Sequence, residues 1–271
     1  MPDTSSPTAR INGVTLACTD RGRGPALLLL HGHAYDRSMW DRQVEVFAGR
    51  GWRVIAPDLR GFGDSEVTEG IVYTEEFADD VAGLLDHLGV DRAVVVGFSM
   101  AGQIALEMLS RHPDRFRALV ISDTVPDAED AAGRRRRHIT ADAILGDGME
   151  AYGRSVLTRM IAEDNVEAQP ELAARVLAML QRAPAKGAAA AMRGRAERRD
   201  LTGVLRDARL PVLVVVGAED AFDGGAGRRM AGLVPGAELV VVDGAGHTPS
   251  MERPAAFDAA LGAFLARLPA R

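Results

Sequence analysis

Ala93-Val94-Val95-Val96-Gly97-Phe98-Ser99-Met100-Ala101-Gly102-Gln103-Ile104-Ala105 is the stretch on which the reading of this chain turns. Residues 94–96 form a β-branched apolar run, the pattern of a strand covered on both faces. Gly97 and Gly102 supply small residues at a tight turn, and from Gln103 onward the spacing is helical. One serine stands between strand and helix. On such a turn its hydroxyl is pushed out above the carboxyl edge of the sheet, beside the N–H groups of a helix start. Ala101 replaces the last glycine of Gly-x-Ser-x-Gly and is small enough to keep the turn. Taken alone, the same residues also fit an ordinary strand-to-helix turn with a serine cap.

Outward from this turn the chain alternates strand and helix. Residues 9–11 and 14–18 read as a hairpin around Asn12-Gly13. An apolar run at 26–30 empties into His31-Gly32-His33. A helix at 39–47, closed by Gly49 and Gly51, leads to a strand at 53–56 stopped by Pro57. After the loop 58–65 comes an amphipathic helix at 77–88, then the Ser99 strand, then a strand at 116–122. Such alternation predicts parallel βαβ units in an α/β sheet. From about 126 to 199 the chain is rich in Ala, Arg, Glu and Met and helical in period. Strands resume at 211–217 and 237–242, and a helix at 255–268 closes the chain. The division expected is a core of 1–125 and 200–271 with a helical cap of 126–199 over the carboxyl edge, where ligands bind in open α/β sheets.

Bulk properties narrow the function classes. The 271 residues are 47% hydrophobic and 26% charged, as in ordinary soluble proteins, and can bury a sizeable core. A formal net charge of −6 gives no footprint for nucleic acid. The run Arg134-Arg135-Arg136-Arg137 is expected to be a solvated helix face. Cys18 is the single cysteine, so neither a disulfide framework nor a cysteine metal cluster is available. It falls in a strand, where a buried inert thiol is expected. Residues 1–7 lack the basic and apolar segments of a secretory leader, and no apolar run is long enough to span a membrane, so a cytoplasmic protein is expected.

Two further pieces of chemistry follow late strands. Gly217-Ala218-Glu219-Asp220 ends one, and Asp243-Gly244-Ala245-Gly246-His247 follows the next, on the same edge as Ser99. A serine nucleophile needs a neutral imidazole to take its proton and a carboxylate to orient that imidazole. Asp220 alone also fits a helix cap. Glu219 reads as a solvated neighbour, and Asp123, after the strand at 116–122, is the rival acid. His87, His112 and His138 fall on or beside helices, whereas His247 lies in a glycine-rich turn. The N–H groups of His33 and Met100 are placed to form an oxyanion hole. A metal at His31, His33 and Asp36 lacks a third convincing ligand, so no metal and no cofactor are expected. Tyr152, Met160, Met179 and Met192 are candidates to line the pocket, although helical Met and Tyr commonly serve as core.

These residues together resemble the α/β-hydrolase superfamily over about residues 10–268. The matching pieces are His31-Gly32, Asp58-Leu59-Arg60-Gly61-Phe62-Gly63-Asp64-Ser65, Gly97-Phe98-Ser99-Met100-Ala101-Gly102, residues 211–220 and Gly246-His247. The resemblance implies an eight-stranded, mostly parallel sheet with helices on both faces, a helical cap between strands six and seven, and a Ser99–His247–Asp220 triad. Within the superfamily the chain is most similar to 3-oxoadipate enol-lactonases, small esterases and cofactor-free non-haem haloperoxidases. Ser99 argues against haloalkane dehalogenase and epoxide hydrolase chemistry, which uses an aspartate there. The activity implied is hydrolysis of a small ester or lactone by way of an acyl-enzyme. Perhydrolysis, acyl transfer and C–C hydrolysis are variants on the same triad, and a non-catalytic small-ligand receptor is the reading from another class. His33 departs from the family pattern, its side chain being expected to face the cap or to reach the substrate. A monomer and a homodimer are both compatible with a chain of this size.

Overall fold

The computed structural model describes residues 8–269. Residues 1–7, on which the expectation of no leader was based, lie outside the described residues. Thr8–Ile11 (β1) and Val14–Arg21 (β2) pair antiparallel across Asn12-Gly13, both at positive φ, as a two-residue hairpin turn requires. β2 outruns the expected end at 18 because Cys18 through Arg21 pair with a further strand. Ala26–Leu30 (β3) is buried at every position. A 3₁₀ turn at Arg37–Trp40 precedes Asp41–Ala48 (α1), so the α-helix starts two residues later than the apolar spacing predicts. The cause is Asp36, whose side chain accepts the Ser38 N–H and caps the tighter turn.

Arg53–Pro57 (β4), Thr74–His87 (α2), Ala93–Phe98 (β5), Met100–Arg111 (α3) and Phe116–Ser122 (β6) continue the alternation. Four helices then intervene: Ala131–Met160 (α4), Glu163–Ala168 (α5), Pro170–Arg182 (α6) and Ala185–Ala196 (α7). α4 is broken at Gly148, whose φ of 84° and ψ of 169° leave the helical region. Thr202–Arg206 (α8) returns the chain to Val212–Gly217 (β7), Ala226–Leu233 (α9), Glu238–Val242 (β8), Pro249–Glu252 (α10) and Pro254–Arg267 (α11).

The eight strands form one sheet in the order β1-β2-β4-β3-β5-β6-β7-β8, antiparallel only at β1–β2 and β2–β4. β3 and β5 to β8 are parallel, so their carboxyl ends share one edge. Near-continuous Val, Leu and Ile in β3, β5, β6 and β7 match a sheet buried on both faces.

The inserted helices are seated on loops of the sheet domain. The Val72 N–H donates to the Ala190 carbonyl of α7 at 3.1 Å. A Cβ on Gly194 would lie 1.7 Å from the Val72 carbonyl oxygen, and one on Gly187 would lie 2.0 Å from that of Gly61. Small residues along α7 are what permit so close an approach. Among the described residues no helix is long and apolar enough to cross a membrane.

Candidate active site

Ser99 occupies the turn between β5 and α3 with φ 52° and ψ −114°, a region non-glycine residues rarely adopt. The turn is held by two hydrogen bonds from outside it. Its N–H donates to the Ser122 carbonyl at 2.9 Å, and its carbonyl accepts from the Thr124 hydroxyl at 2.7 Å. Gly97 is needed because a Cβ there would meet the Ala101 carbonyl oxygen at 2.3 Å. Gly102 is needed because a Cβ would strike Thr124. The exchange of glycine for Ala101 is tolerated between them.

His247 follows β8, and its ring links two other elements. Nε2 lies 2.9 Å from Ser99 Oγ, and Nδ1 lies 2.9 Å from Asp220 Oδ1, beyond the end of β7. Asp220 Oδ1 also accepts the Phe222 N–H at 2.9 Å, which aims the carboxylate at the imidazole. This network assigns the proton to Nδ1 and leaves Nε2 to accept from the serine hydroxyl. His247 is buried between the rings of Phe98 and Phe222, with centroids at 5.1 and 4.7 Å. Ser99 itself keeps some exposure.

Asp220 does not cap the following helix. Asp223 does so, accepting the Gly227 N–H at 2.6 Å and the Gly225 N–H at 2.9 Å. Asp123, the rival acid, is not the bonded partner of His247. Its carboxyl accepts the Gly217 N–H at 2.8 Å and the Ser122 hydroxyl. It nonetheless lies beside the triad, since Asp123, Asp220 and His247 offer polar atoms within 4.8 Å of one another. Burial, and then the charge of Asp220, push the Asp123 carboxyl well above the usual carboxylate range. Asp220 Oδ2 is buried without a hydrogen-bond partner among the described residues. A neutral Asp123 removes the repulsion that two adjacent carboxylates would suffer.

Glu252 was not singled out by sequence reasoning. Its buried carboxylate accepts the N–H groups of Gly246 and Thr248, on either side of His247, at 3.0 Å. It also accepts the Ala162 N–H at 2.9 Å and the Asn165 side-chain amide at 2.7 Å, both from the inserted segment. One side chain thus fixes the histidine turn and ties it to α5. The five-residue spacing from His247 was the available signal, but a glutamate beside Arg253 and Pro254 carries no mark of burial.

The loop after β3 brings Gly32 against the serine turn: a Cβ there would lie 3.3 Å from Ser99 Cβ. Among the described residues the N–H groups of His33 and Met100 donate to no other group. The His33 ring turns toward the inserted helices, with Nε2 2.9 Å from the Ala188 carbonyl and Nδ1 3.3 Å from the Tyr152 hydroxyl. Burial pushes this imidazole down to about 3, so it is neutral, donating from Nε2 and accepting at Nδ1. His31 is satisfied by backbone: Nε2 accepts the Leu59 N–H at 2.9 Å and Nδ1 lies 2.8 Å from the Gly32 carbonyl. With those nitrogens engaged and Asp36 bound to Arg182, the three do not assemble a metal site.

Tyr152 packs edge-on against the His33 ring, with centroids 5.8 Å apart. Met160 contributes its carbonyl to the Thr248 hydroxyl and packs its side chain on the core, while Met179 and Met192 are buried core residues. His87 is exposed, His112 pairs with Asp79 and His138 with Glu197. Burial raises the Cys18 thiol to about 11, which keeps it protonated. A surface cleft of about 760 Å³ lined by Arg60, Asp80 and Arg111 shares no residue with this site.

Residues 25–254 match the family described as alpha/beta hydrolase fold. The chain belongs to that family. A 3-oxoadipate enol-lactonase from Acinetobacter baylyi is 28% identical over 258 residues, covering 95% of this chain and 93% of that one. A thermophilic esterase from Thermogutta terrifontis, solved with malate bound, superposes with a TM-score of 0.93 at 34% identity, covering 97% and 98% of the two chains. An enol-lactonase from Burkholderia xenovorans gives a TM-score of 0.89 at 29% identity, covering 96% and 100%. The α/β-hydrolase resemblance in the sequence and the eight-stranded fold it implied are therefore both borne out.

Proposed function

We propose that this α/β hydrolase is a serine hydrolase of small carboxylic esters or lactones, with Ser99 as nucleophile, His247 as general base and acid, and Asp220 as orienting carboxylate. The observation that carries this reading is the continuous hydrogen-bonded line Ser99–His247–Asp220, at 2.9 Å on both sides of the imidazole. Esterase and enol-lactonase relatives spanning nearly the whole chain support the substrate class.

In this mechanism Ser99 Oγ attacks the carbonyl carbon while its proton passes to His247 Nε2. The resulting oxyanion is met by the His33 and Met100 N–H groups, donors aimed at charge that develops only in the transition state. Collapse breaks the bond to the leaving oxygen, which takes the proton from Nε2. In a lactone that oxygen stays tethered to the acyl chain. Water, deprotonated by the same imidazole, then attacks the acyl-enzyme, and the carboxylic acid departs with Ser99 restored. Asp220 holds Nδ1–H throughout and stabilises the imidazolium. The helices within 126–199 serve as a cap over the core of 1–125 and 200–271, with Tyr152 on the pocket side.

The test is a panel of esters and lactones of graded acyl length, run on the native protein and on Ser99→Ala. Turnover is expected to fall by about a thousandfold or more in the variant. A fluorophosphonate is expected to label the native protein at Ser99. Near-native hydrolysis by Ser99→Ala would overturn the reading. Absence of both labelling and turnover, beside saturable ligand binding, would favour a receptor instead.

A further inference from the structure

The inserted helices carry more positive charge into the interior than the adjacent carboxylates neutralise. Arg137 of α4, Arg195 of α7 and Arg198 just beyond α7 gather around one acid, Glu129. Its carboxylate takes Arg198 Nη1 at 2.7 Å and Arg137 Nε at 2.5 Å. Asp127, the next acid, is engaged by Arg229. Arg195 receives neither. Among the described residues the one hydrogen bond of its guanidinium runs from Nε to the Gln103 side-chain oxygen at 3.2 Å, and its two terminal nitrogens have no partner.

The position of this cation matters more than its lack of a partner. Gln103 lies in the first turn of α3, directly after the Ser99 elbow. Tyr152, which also feels the Arg195 charge, has its hydroxyl on the His33 ring of the oxyanion loop. Arg195 and Tyr152 are both partly buried and keep some accessible surface. Burial, Arg137 and Arg198 together hold the Arg195 guanidinium well below the ordinary arginine value. Of the four residues in Arg134–Arg137, the first three are exposed, and only Arg137 turns inward to this cluster.

We propose that Arg195 binds a carboxylate carried by the substrate, so that the protein hydrolyses anionic half-esters or carboxylate-bearing lactones; this rests on the hydrolase reading above. A carboxylate offers two acceptor oxygens to the two free nitrogens of a planar guanidinium, a bidentate match that a lysine or a neutral group does not reproduce. It also supplies the charge that this lobe of the interior lacks. A neutral ester of equal size leaves the cation unpaired.

The experiment compares monomethyl succinate, glutarate and adipate with methyl esters of uncharged acids of matched length. At the best chain length, native kcat/KM is expected to favour the anionic ester at least tenfold. Arg195→Met should shrink that ratio by about 10- to 150-fold, the range for a hydrogen bond to a charged group, chiefly through KM. Arg195→Lys should keep part of the preference. Arg193→Met, whose native side chain pairs with Asp142 away from the cluster, should leave it intact. Calorimetric titration of monomethyl glutarate into Ser99→Ala, and into the same protein carrying Arg195→Met, gives the binding counterpart, with weaker binding expected in the second. A ratio unchanged by Arg195→Met, or no native preference for charge at any length, overturns the proposal while Ser99-dependent hydrolysis of neutral esters leaves the hydrolase reading standing. Loss of all ester hydrolysis, with half-ester binding still dependent on Arg195, would sink the hydrolase reading and retain the anion site.

Discussion

His33 has two separate parts to play: a backbone N–H proposed above for the oxyanion hole, and a ring that bonds Ala188 and Tyr152 on the inserted helices. The ring is held at about 3, against about 6.5 in an unfolded chain. Between those values the unfolded chain binds a proton that the folded one refuses, so stability rises with pH across that window and is lost as pH falls below 6.5. From pH 6.5 to 5 the loss is about 2 kcal/mol. His33→Gln, which does not titrate, should lose less over the same interval. Thermal midpoints measured from pH 7 to 5 decide this, and parallel curves would exclude the ring. Asp123 has the opposite sign. Its raised folded value means stability present in acid and lost as pH rises through that value. Asp123→Asn, the isostere of the neutral acid, should therefore gain on the native protein from pH 5 to pH 9 in denaturant titrations. A gap that stays constant would show that Asp123 does not titrate there. The histidine turn and the serine turn were legible because glycine and a strand end mark them. Residue pattern alone left Asp220 and Asp123 both open, because each follows a strand; the family resemblance favoured Asp220, and it is Asp220 that bonds His247 Nδ1.

At the scale of elements, the buried Glu252 carboxylate joins α10 to the start of α5 through the turn that carries His247. All its donors are amides, four groups brought from residues 162, 165, 246 and 248. Sequence patterns report side-chain type and spacing, whereas this role depends on backbone groups converging from distant segments. Glu252→Gln keeps the volume but replaces an acceptor oxygen with a donor facing N–H groups. The expected cost is about 3 kcal/mol of stability. A displaced His247 should lower kcat about 10- to 100-fold with little change in KM, since imidazole position matters to the transition state more than to binding. Glu252→Asp, which retains the charge, should recover part of kcat. Native kcat in Glu252→Gln would remove Glu252 from the positioning role. The helix boundaries missed by a few residues have a similar origin: at α1 and α2 they were set by capping side chains, Asp36 and Glu76, and not by the apolar period.

Across the whole molecule, the alternating apolar runs mark the strands and their parallel βαβ connections, whereas the order β1-β2-β4-β3-β5-β6-β7-β8 is set by strand pairing that the pattern does not carry. How the inserted helices sit on that sheet is a different kind of information. Composition marked residues 126–199 as helical, but their seat is made by backbone contacts at Gly61, Val72, Gly187 and Gly194 that no pattern of side chains reveals. α7 carries the Ala188 carbonyl that holds His33, and also Arg195, so its position bears on both the proposed oxyanion hole and the proposed anion site. Gly194→Ala places a methyl where the Val72 carbonyl oxygen lies only 1.7 Å away, and backbone cannot yield as a flexible side chain would. α7 must therefore lift. The expected result is a loss of about 1–3 kcal/mol in stability, accompanied by a fall in kcat/KM larger for anionic than for neutral esters. Gly146→Ala provides the contrast, since a Cβ there meets open space and lies within the helical stretch before the break at Gly148. That substitution should stabilise the protein by about 0.5–1 kcal/mol and leave the ratio of anionic to neutral turnover unchanged. Chemical denaturation and ester kinetics on the two variants separate a seat that governs the site from a helix layer that merely covers it. Equal kinetics in both would show that the position of α7 does not reach the chemistry.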